Sequence, residues 1–273
     1  MFRIIPKLDI KGSNLVKGIN LEGLRILGDP NFFISQYYDD GADEIFIQDV
    51  VASLYDNYSL LSIIKSISKK CFIPITVGGG IKSLDEITLL LTNGADRISI
   101  NSYAFSNINF ISNVAKKFGS STLSINIQVM KIDDKYITYY NNGRSPSGIE
   151  ILEWIKSIQN EGAGENVLTS INKEGLMGGF DLELIEKIRQ FVNVPLLMNG
   201  GASTLKDIAN LKLDYDLSGV VLSSIIHYNF FHNEISDKTK INSKIKDNLP
   251  KLKTYKIHEI KKYLTDRNIE VRS

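Results

Sequence analysis

The sequence predicts an α/β fold, a closed (β/α)8 TIM barrel built from two half-barrel repeats. Three observations carry that expectation. Short β-rich runs alternate with amphipathic helical stretches, which is the pattern of a parallel sheet. Eight such runs occupy roughly 250 residues, the usual length of a (β/α)8 barrel. The two halves also echo each other. Pro74-Ile-Thr-Val-Gly-Gly-Gly80 recurs as Pro195-Leu-Leu-Met-Asn-Gly-Gly201, and Gly41-Ala-Asp-Glu44 recurs at the same offset as Gly162-Ala-Gly-Glu165. Arg97-Ile-Ser-Ile-Asn-Ser102 recurs, shifted by a single residue, as Gly219-Val-Val-Leu-Ser-Ser224. Two four-strand halves complete a ring, whereas an open doubly wound sheet leaves the echo unexplained.

Taken in order, the expected strands are Arg3–Asp9, Glu44–Asp49, Ile73–Val77, Arg97–Asn101, Thr122–Gln128, Asn166–Ser170, Val194–Asn199 and Gly219–Ser223. Amphipathic helical stretches between them include Leu60–Ser68, Leu84–Thr92, Ile149–Glu161 and Leu182–Phe191. After the fifth strand, Asp133–Tyr140 reads as a hairpin-like excursion and Asn141–Ser147 as a polar loop. Glu234–Lys253 is polar and lysine-rich, a solvated insertion or, on a sharper reading, an anion-binding flap. Tyr255–Leu264 reads as a closing helix. No composition shift marks a domain boundary, so residues 1–273 are expected to form one domain.

Composition narrows the function classes. Hydrophobic residues make up 43% of the 273 residues, enough for a sizeable core, and the formal net charge is +1. Bulk charge therefore makes no case for nucleic acid or a membrane surface. Cys71 is the only cysteine, which excludes a disulfide framework and a cysteine metal cluster. Arg3, Lys7, Asp9, Lys11 and Lys17 interrupt the N-terminal apolar residues, unlike a signal peptide. No uncharged stretch is long enough to span a bilayer. A cytoplasmic protein is expected. His227, His232 and His258 lack ligand-like spacing, so no metal and no organic cofactor is expected.

In such a barrel the chemistry sits at the C-terminal ends of the strands. Gly78, Gly79 and Gly80 end the third strand, and Gly200 and Gly201 end the seventh. Glycine there lets backbone N–H groups approach an anion with no Cβ in the way. Asn101 and Ser102 end the fourth strand, and Ser223 and Ser224 end the eighth. Two glycine pairs, each followed one strand later by such donors, predict two phosphate cradles facing each other across one active site. Asp9 ends the first strand, where a carboxylate can serve as general acid or base. Lys17 follows in a loop able to fold over the site, and Asp49 ends the second strand. Alternate side chains of a strand point into the barrel. Arg3, Glu44, Arg97 and Glu165 thus fall at the N-terminal ends of four strands, where two cations and two anions can form a paired ring. Such a ring reads as strand-end solvation or as the gate of a small-molecule passage.

These residues resemble the cyclase subunit family of imidazole glycerol phosphate synthase over nearly the whole chain. The most specific stretches are Leu8-Asp9 with Leu15-Val-Lys-Gly18, Asn20-Leu-Glu-Gly-Leu-Arg25 with Gly28-Asp-Pro30, Val77-Gly-Gly-Gly80, Ser99-Ile-Asn101, Gly162-Ala-Gly-Glu165, Leu168-Thr-Ser170 and Asn199-Gly-Gly-Ala202. The resemblance implies a glutaminase partner docked on the N-terminal face, with Asp96 at the interface. Ammonia would pass the ring of Arg3, Glu44, Arg97 and Glu165 and attack a bisphosphorylated ribulosyl aminoimidazole carboxamide, yielding imidazole glycerol phosphate for histidine biosynthesis. It implies a phosphate-binding set of Gly80, Asn101, Ser102, Gly175, Gly200, Gly201, Ser223 and Ser224, with catalysis by Asp9, Lys17 and a strand-five aspartate.

The chain departs from that pattern. Gln128 stands at the strand-five aspartate position, and an amide does not titrate. Lys7 stands where the family usually has cysteine, Gln48 and Asn126 replace apolar or small residues, and Asn199 replaces a serine. Glu174 and Leu176 replace an aspartate and a threonine. Lys7 is expected to pair with Asp9 or to bond Asn126 and Gln48 across the lumen, since a buried lysine needs a partner. The alternative to cyclase activity is a re-purposed relative that feeds ammonia to another metabolite, such as a nucleotide-linked surface sugar, or a non-catalytic ammonia conduit.

Overall fold

A computed structural model describes residues 1–52, 59–232, 242 and 252–272. Most of the polar insertion expected at 234–253 lies outside the described residues. Strand β1 (Arg3–Lys11) runs into an antiparallel hairpin, β2 (Asn14–Ile19) and β3 (Glu22–Gly28), and then into α1 (Pro30–Asp39). Next come β4 (Ile45–Asp49), α2 (Ser59–Ile67), β5 (Ile75–Gly78), α3 (Leu84–Thr92) and β6 (Arg97–Ile100). Helices α4 (Ser102–Ser106) and α5 (Asn109–Phe118) lead to β7 (Leu123–Ile132), which folds back through β8 (Lys135–Tyr140) and β9 (Ser145–Glu150). The chain then passes through α6 (Ile151–Asn160), β10 (Glu165–Ser170), α7 (Leu182–Ile188), β11 (Leu196–Asn199), α8 (Leu205–Leu213) and β12 (Gly219–Leu222). Short helices α9 (Ser224–His227) and α10 (Asn229–His232) precede α11 (Ile257–Thr265).

Eight strands pair in parallel in the order β10-β11-β12-β1-β4-β5-β6-β7. The β7–β10 pairing, from Glu165 opposite Ser124 to Ser170 opposite Val129, joins the two ends. The sheet is thus a closed (β/α)8 barrel. Outside it, helices bury the main apolar core between themselves and the outer face of the strands. Inside it, Ile5, Phe46, Val167, Leu197 and Val221 form a separate apolar cluster.

The sequence echo is also an echo of backbone. Gly79 and Gly80 have φ of 115° and 67°, and Gly200 and Gly201 have 88° and 105°. A Cβ on Gly79 would stand 2.4 Å from the Asp49 carbonyl oxygen, and one on Gly201 would stand 2.3 Å from that of Gly179. Asn101 (φ −133°, ψ −82°) and Ser223 (φ −131°, ψ −91°) share one unusual conformation before α4 and α9. Helices α3 and α8 begin with the same device, a capping box of Ser83 with Glu86 in one half and of Thr204 with Asp207 in the other. Each satisfies otherwise orphaned N–H groups at a helix start.

Several local expectations need correction. Lys17 lies on strand β2, not in a loop. The β2–β3 turn places Asn20 (φ 51°) and Leu21 (φ 66°) in the left-handed region. A two-residue hairpin is normally announced by Asn-Gly or Asp-Gly, and leucine at that position hides the signal. Tertiary contacts hold the turn: Asn20 N–H donates to the Glu174 carbonyl, and Leu21 packs against Tyr139 and Ile171. The expected polar loop at 141–147 is shorter, because Ser145 already opens β9. Ile149 belongs to that strand and not to the following helix.

Removing a cap costs about 1 kcal/mol. Ser83→Ala and Thr204→Ala are each expected to lower unfolding stability by that amount, and the double variant by their sum. Urea denaturation of the three variants checks both the magnitude and the additivity.

Candidate functional site at the barrel mouth

At the N-terminal end of the lumen, Arg3 donates to Glu44 (3.1 Å) and to Glu165. Arg97 donates to Glu165 (2.9 Å) and lies 3.8 Å from Glu44. Thr76 Oγ1 donates to the second Glu44 oxygen at 2.5 Å. The four charged residues therefore form a cyclic set of ion pairs across β1, β6, β10 and the residue preceding β4. Burial opposes the Arg3 charge, but Glu165 and Glu44 outweigh it and hold the guanidinium above its usual range. Burial, and then the neighbouring Glu165 carboxylate, push Glu44 up. Asp96 is exposed on the same face, with Oδ2 accepting from the Ile75 N–H at 2.8 Å.

Above the apolar cluster the lumen turns polar. Lys7 Nζ lies 2.9 Å from Asp9 Oδ1, and both residues are buried. Of the two arrangements open to Lys7, the pairing with Asp9 is the one observed. Burial would raise the Asp9 carboxyl, but Lys7 and then Lys17 overcome it and hold it below its usual range. Across the lumen, Asn199 Nδ2 donates to Thr169 Oγ1 (3.0 Å), which donates to Asn126 Oδ1 (3.4 Å). Gln128 Oε1 accepts from the Gly143 N–H at 2.9 Å, which ties the strand-five position to the β8–β9 turn. Beneath β1, His227 Nε2 lies 2.9 Å from the Lys7 carbonyl and Nδ1 lies 2.5 Å from Tyr37 Oη. A carbonyl only accepts, so Nε2 carries the proton and Nδ1 accepts from the tyrosine.

The residues of the two expected phosphate cradles line different spaces. Gly79, Gly80, Asn101 and Ser102 line a cavity of about 520 Å³, together with Gln48, Asn126, Gln128, Tyr103, Phe105 and Tyr140. Gly175, Gly200, Gly201, Ser223 and Ser224 line a separate space of about 20 Å³ with Glu174 and Asn199. The β2–β3 hairpin packs beside the smaller one, where its Asn20 N–H meets the Glu174 carbonyl. Its Lys17 ion-pairs with Glu174, and both side chains are buried. Burial opposes the Lys17 charge, but Glu174 and Asp9 hold it above its usual range. Asn101 Nδ2 donates to the carbonyls of Asn126 (2.8 Å) and Tyr139 (3.2 Å), and Ser102 Oγ accepts from the Asn141 N–H (3.0 Å). These two residues thus anchor β8 and its turn as well as lining the larger cavity.

Sequence reasoning missed the aromatic side of that cavity. Phe105 stacks on Trp154 with ring centroids 4.0 Å apart and tilts against Tyr140. The contacts join α4, β8 and α6, three elements with no shared local pattern, so no spacing signal could have found them. Among the described residues, no group of three His, Cys, Asp or Glu side chains is placed to hold a metal ion. No helix among them is long and apolar enough to cross a membrane.

A barrel of two echoed halves with glycine-lined hollows on its rim defines a class. The model of the histidine biosynthesis protein family matches residues 3–232, and the chain belongs to that family. Within it, the chain is similar to imidazole glycerol phosphate synthase subunit HisF of Legionella pneumophila, 43% identical over 206 residues, covering 75% of this chain and 97% of the relative. The same subunit of Natranaerobius thermophilus is 36% identical over 270 residues, covering 99% of this chain and 98% of the relative. That of Helicobacter hepaticus is 41% identical over 227 residues, covering 83% and 90%.

His227 supplies a pH test of this packing. Burial, and then the nearby Lys17 charge, lower its value to about 3, against roughly 6.5 in an unfolded chain. Between those values the unfolded chain binds a proton that the folded one refuses. The contribution of His227 is therefore full above pH 6.5 and is lost as pH falls toward 3. Relative to His227→Asn, the wild-type chain is expected to lose about 2 kcal/mol more stability between pH 7 and pH 5. Urea midpoints at the two pH values check it.

Proposed function

We propose that the chain is the ammonia-using barrel subunit of a glutamine amidotransferase pair. The single observation that carries the reading is the closed ion-pair ring of Arg3, Glu44, Arg97 and Glu165 beneath a lumen that leads to the larger anion-sized cavity. A glutaminase docks on the N-terminal face. Phe72 and Phe191, 76% and 51% exposed, precede β5 and β11 on that face, and Asp96 stands beside the ring. Exposed aromatics of this kind are frequent anchors of protein interfaces. Ammonia enters at the ring and rises along the polar side of the lumen. There the Ser99 and Ser124 hydroxyls are buried with no hydrogen-bond partner, and their residues face each other across β6 and β7. Such hydroxyls can take a transient N–H bond from a neutral molecule.

Family membership supports a cyclase and lyase acting on the bisphosphorylated ribulosyl aminoimidazole carboxamide in histidine biosynthesis. Two features of the mouth favour a different acceptor. Gln128 cannot transfer a proton, and its amide oxygen is committed to Gly143. Asp9, held ionised by Lys7 and Lys17, can accept a proton or orient a nucleophile but is a poor acid. Without an acid–base pair, ring closure and cleavage lack their proton carriers. Amination of another metabolite, such as a nucleotide-linked surface sugar, asks less of these residues. The cavity near Gly80, Asn101 and Ser102 and the buried Asp9 and Lys17 then position that acceptor.

The purified chain with ammonium salt and the bisphosphorylated histidine intermediate is expected to form imidazole glycerol phosphate at least about 100-fold more slowly than Gln128→Asp, a loss of the size usual for one general acid or base. Chromatography of the product checks it. Equal turnover by the two proteins overturns the choice of acceptor and restores the histidine-pathway reading.

A further inference from the structure

The two rim hollows are alike in backbone and opposite in character. The hollow of Gly80, Asn101 and Ser102 opens into about 520 Å³. The hollow of Gly200, Gly201, Ser223 and Ser224 retains about 20 Å³, room for about one water molecule. Glu174 lines the smaller hollow. Its side chain is buried, with Oε1 bound by Lys17. Its Oε2 stands 2.7 Å from where a Cβ on Gly200 would be. The carboxylate thus lies against the face of Gly200 that glycine leaves open for an incoming group.

We propose that Glu174 sets substrate specificity by filling the Gly200–Ser224 hollow with its own carboxylate. The ligand then carries a phosphate only at the Gly80–Ser102 end and an uncharged, hydroxyl- or amide-bearing group at the other. This deepens the reading of the mouth given above and rests on the Gly80 hollow being an anion site. The charge balance supports it. Lys7, Asp9, Lys17 and Glu174 alternate in sign, with Lys7 on Asp9 and Lys17 on Glu174. Lys17, the buried cation paired with Glu174, is already neutralised by it. A phosphate dianion entering there would meet a buried carboxylate whose own counter-charge is committed to Lys17, and like charges at short range in a low-dielectric site repel strongly. A neutral group meets no such barrier. Ser224 Oγ is buried there with no hydrogen-bond partner. Beside it the Glu174 oxygens can only accept. A hydroxyl or an amide, which donates and accepts, satisfies both.

Equilibrium dialysis with radiolabelled inorganic phosphate tests the assignment on the full chain. Expected is one phosphate per wild-type chain and two per chain for Glu174→Ala. Glu174→Asp retains the Lys17 partner while withdrawing the carboxylate by one methylene, and is also expected to bind two, which keeps the test open should Glu174→Ala fail to fold. One phosphate on the wild type and one on both variants overturns the role of Glu174. Two on the wild type overturn it as well, and leave both hollows as anion sites. No phosphate on any of the three proteins overturns the anion-site reading of the Gly80 hollow itself.

Discussion

Closure of the ring by the β7–β10 pairing is the constraint on which everything else rests. Hydrogen bonds from Glu165 opposite Ser124 to Ser170 opposite Val129 leave the parallel barrel without a free edge. Closure also brings together residues far apart in the chain. Glu165 reaches Arg3 and Arg97 at one end, and Thr169 reaches Asn126 and Asn199 near the other. An open sheet would leave these groups in water and without that geometry.

Inside the closed ring, charge is tolerated only where it is paired. The lumen holds an ion-pair ring below, an apolar layer of Ile5, Phe46, Val167, Leu197 and Val221 in the middle, and alternating charges above. Glu44 and Glu165 at the floor and Asp9 and Glu174 at the mouth each have a cation within reach, because an uncompensated charge at that depth is strongly destabilising. The same rule links stability to specificity. Lys17 on the β2–β3 hairpin and Glu174 neutralise each other, and Glu174 lines the smaller of the two rim hollows. The mouth of this barrel is therefore asymmetric although its backbone is nearly twofold.

Much of this was legible from residues alone. The alternation of Arg3, Ile5, Lys7 and Asp9 put all four inside the barrel, and each side chain does face inward. The glycines at the ends of the third and seventh strands signalled close backbone approach with no room for a Cβ, and one on Gly79 or Gly201 would stand 2.4 Å or 2.3 Å from a carbonyl oxygen. The charged ring followed from parity alone, because strand periodicity is strict. The β2–β3 hairpin was not legible, since Asn20-Leu21 lacks turn chemistry and is held by Glu174, Tyr139 and Ile171 from distant parts of the chain. Nor was the division of the mouth into two spaces, which depends on where the Lys17 and Glu174 side chains meet.

By itself the sequence determined the repeat, the alternation of inward and outward residues along the eight strands, and the family. These are properties of spacing and residue type, and spacing survives in one dimension. Tertiary structure alone decided that Lys7 takes Asp9 as its partner, that Gln128 is tied to Gly143, and that Glu174 pairs with Lys17. Those outcomes are competitions among polar groups for a few partners in a dry interior. The winner depends on distances of a few ångströms that only the closed barrel sets.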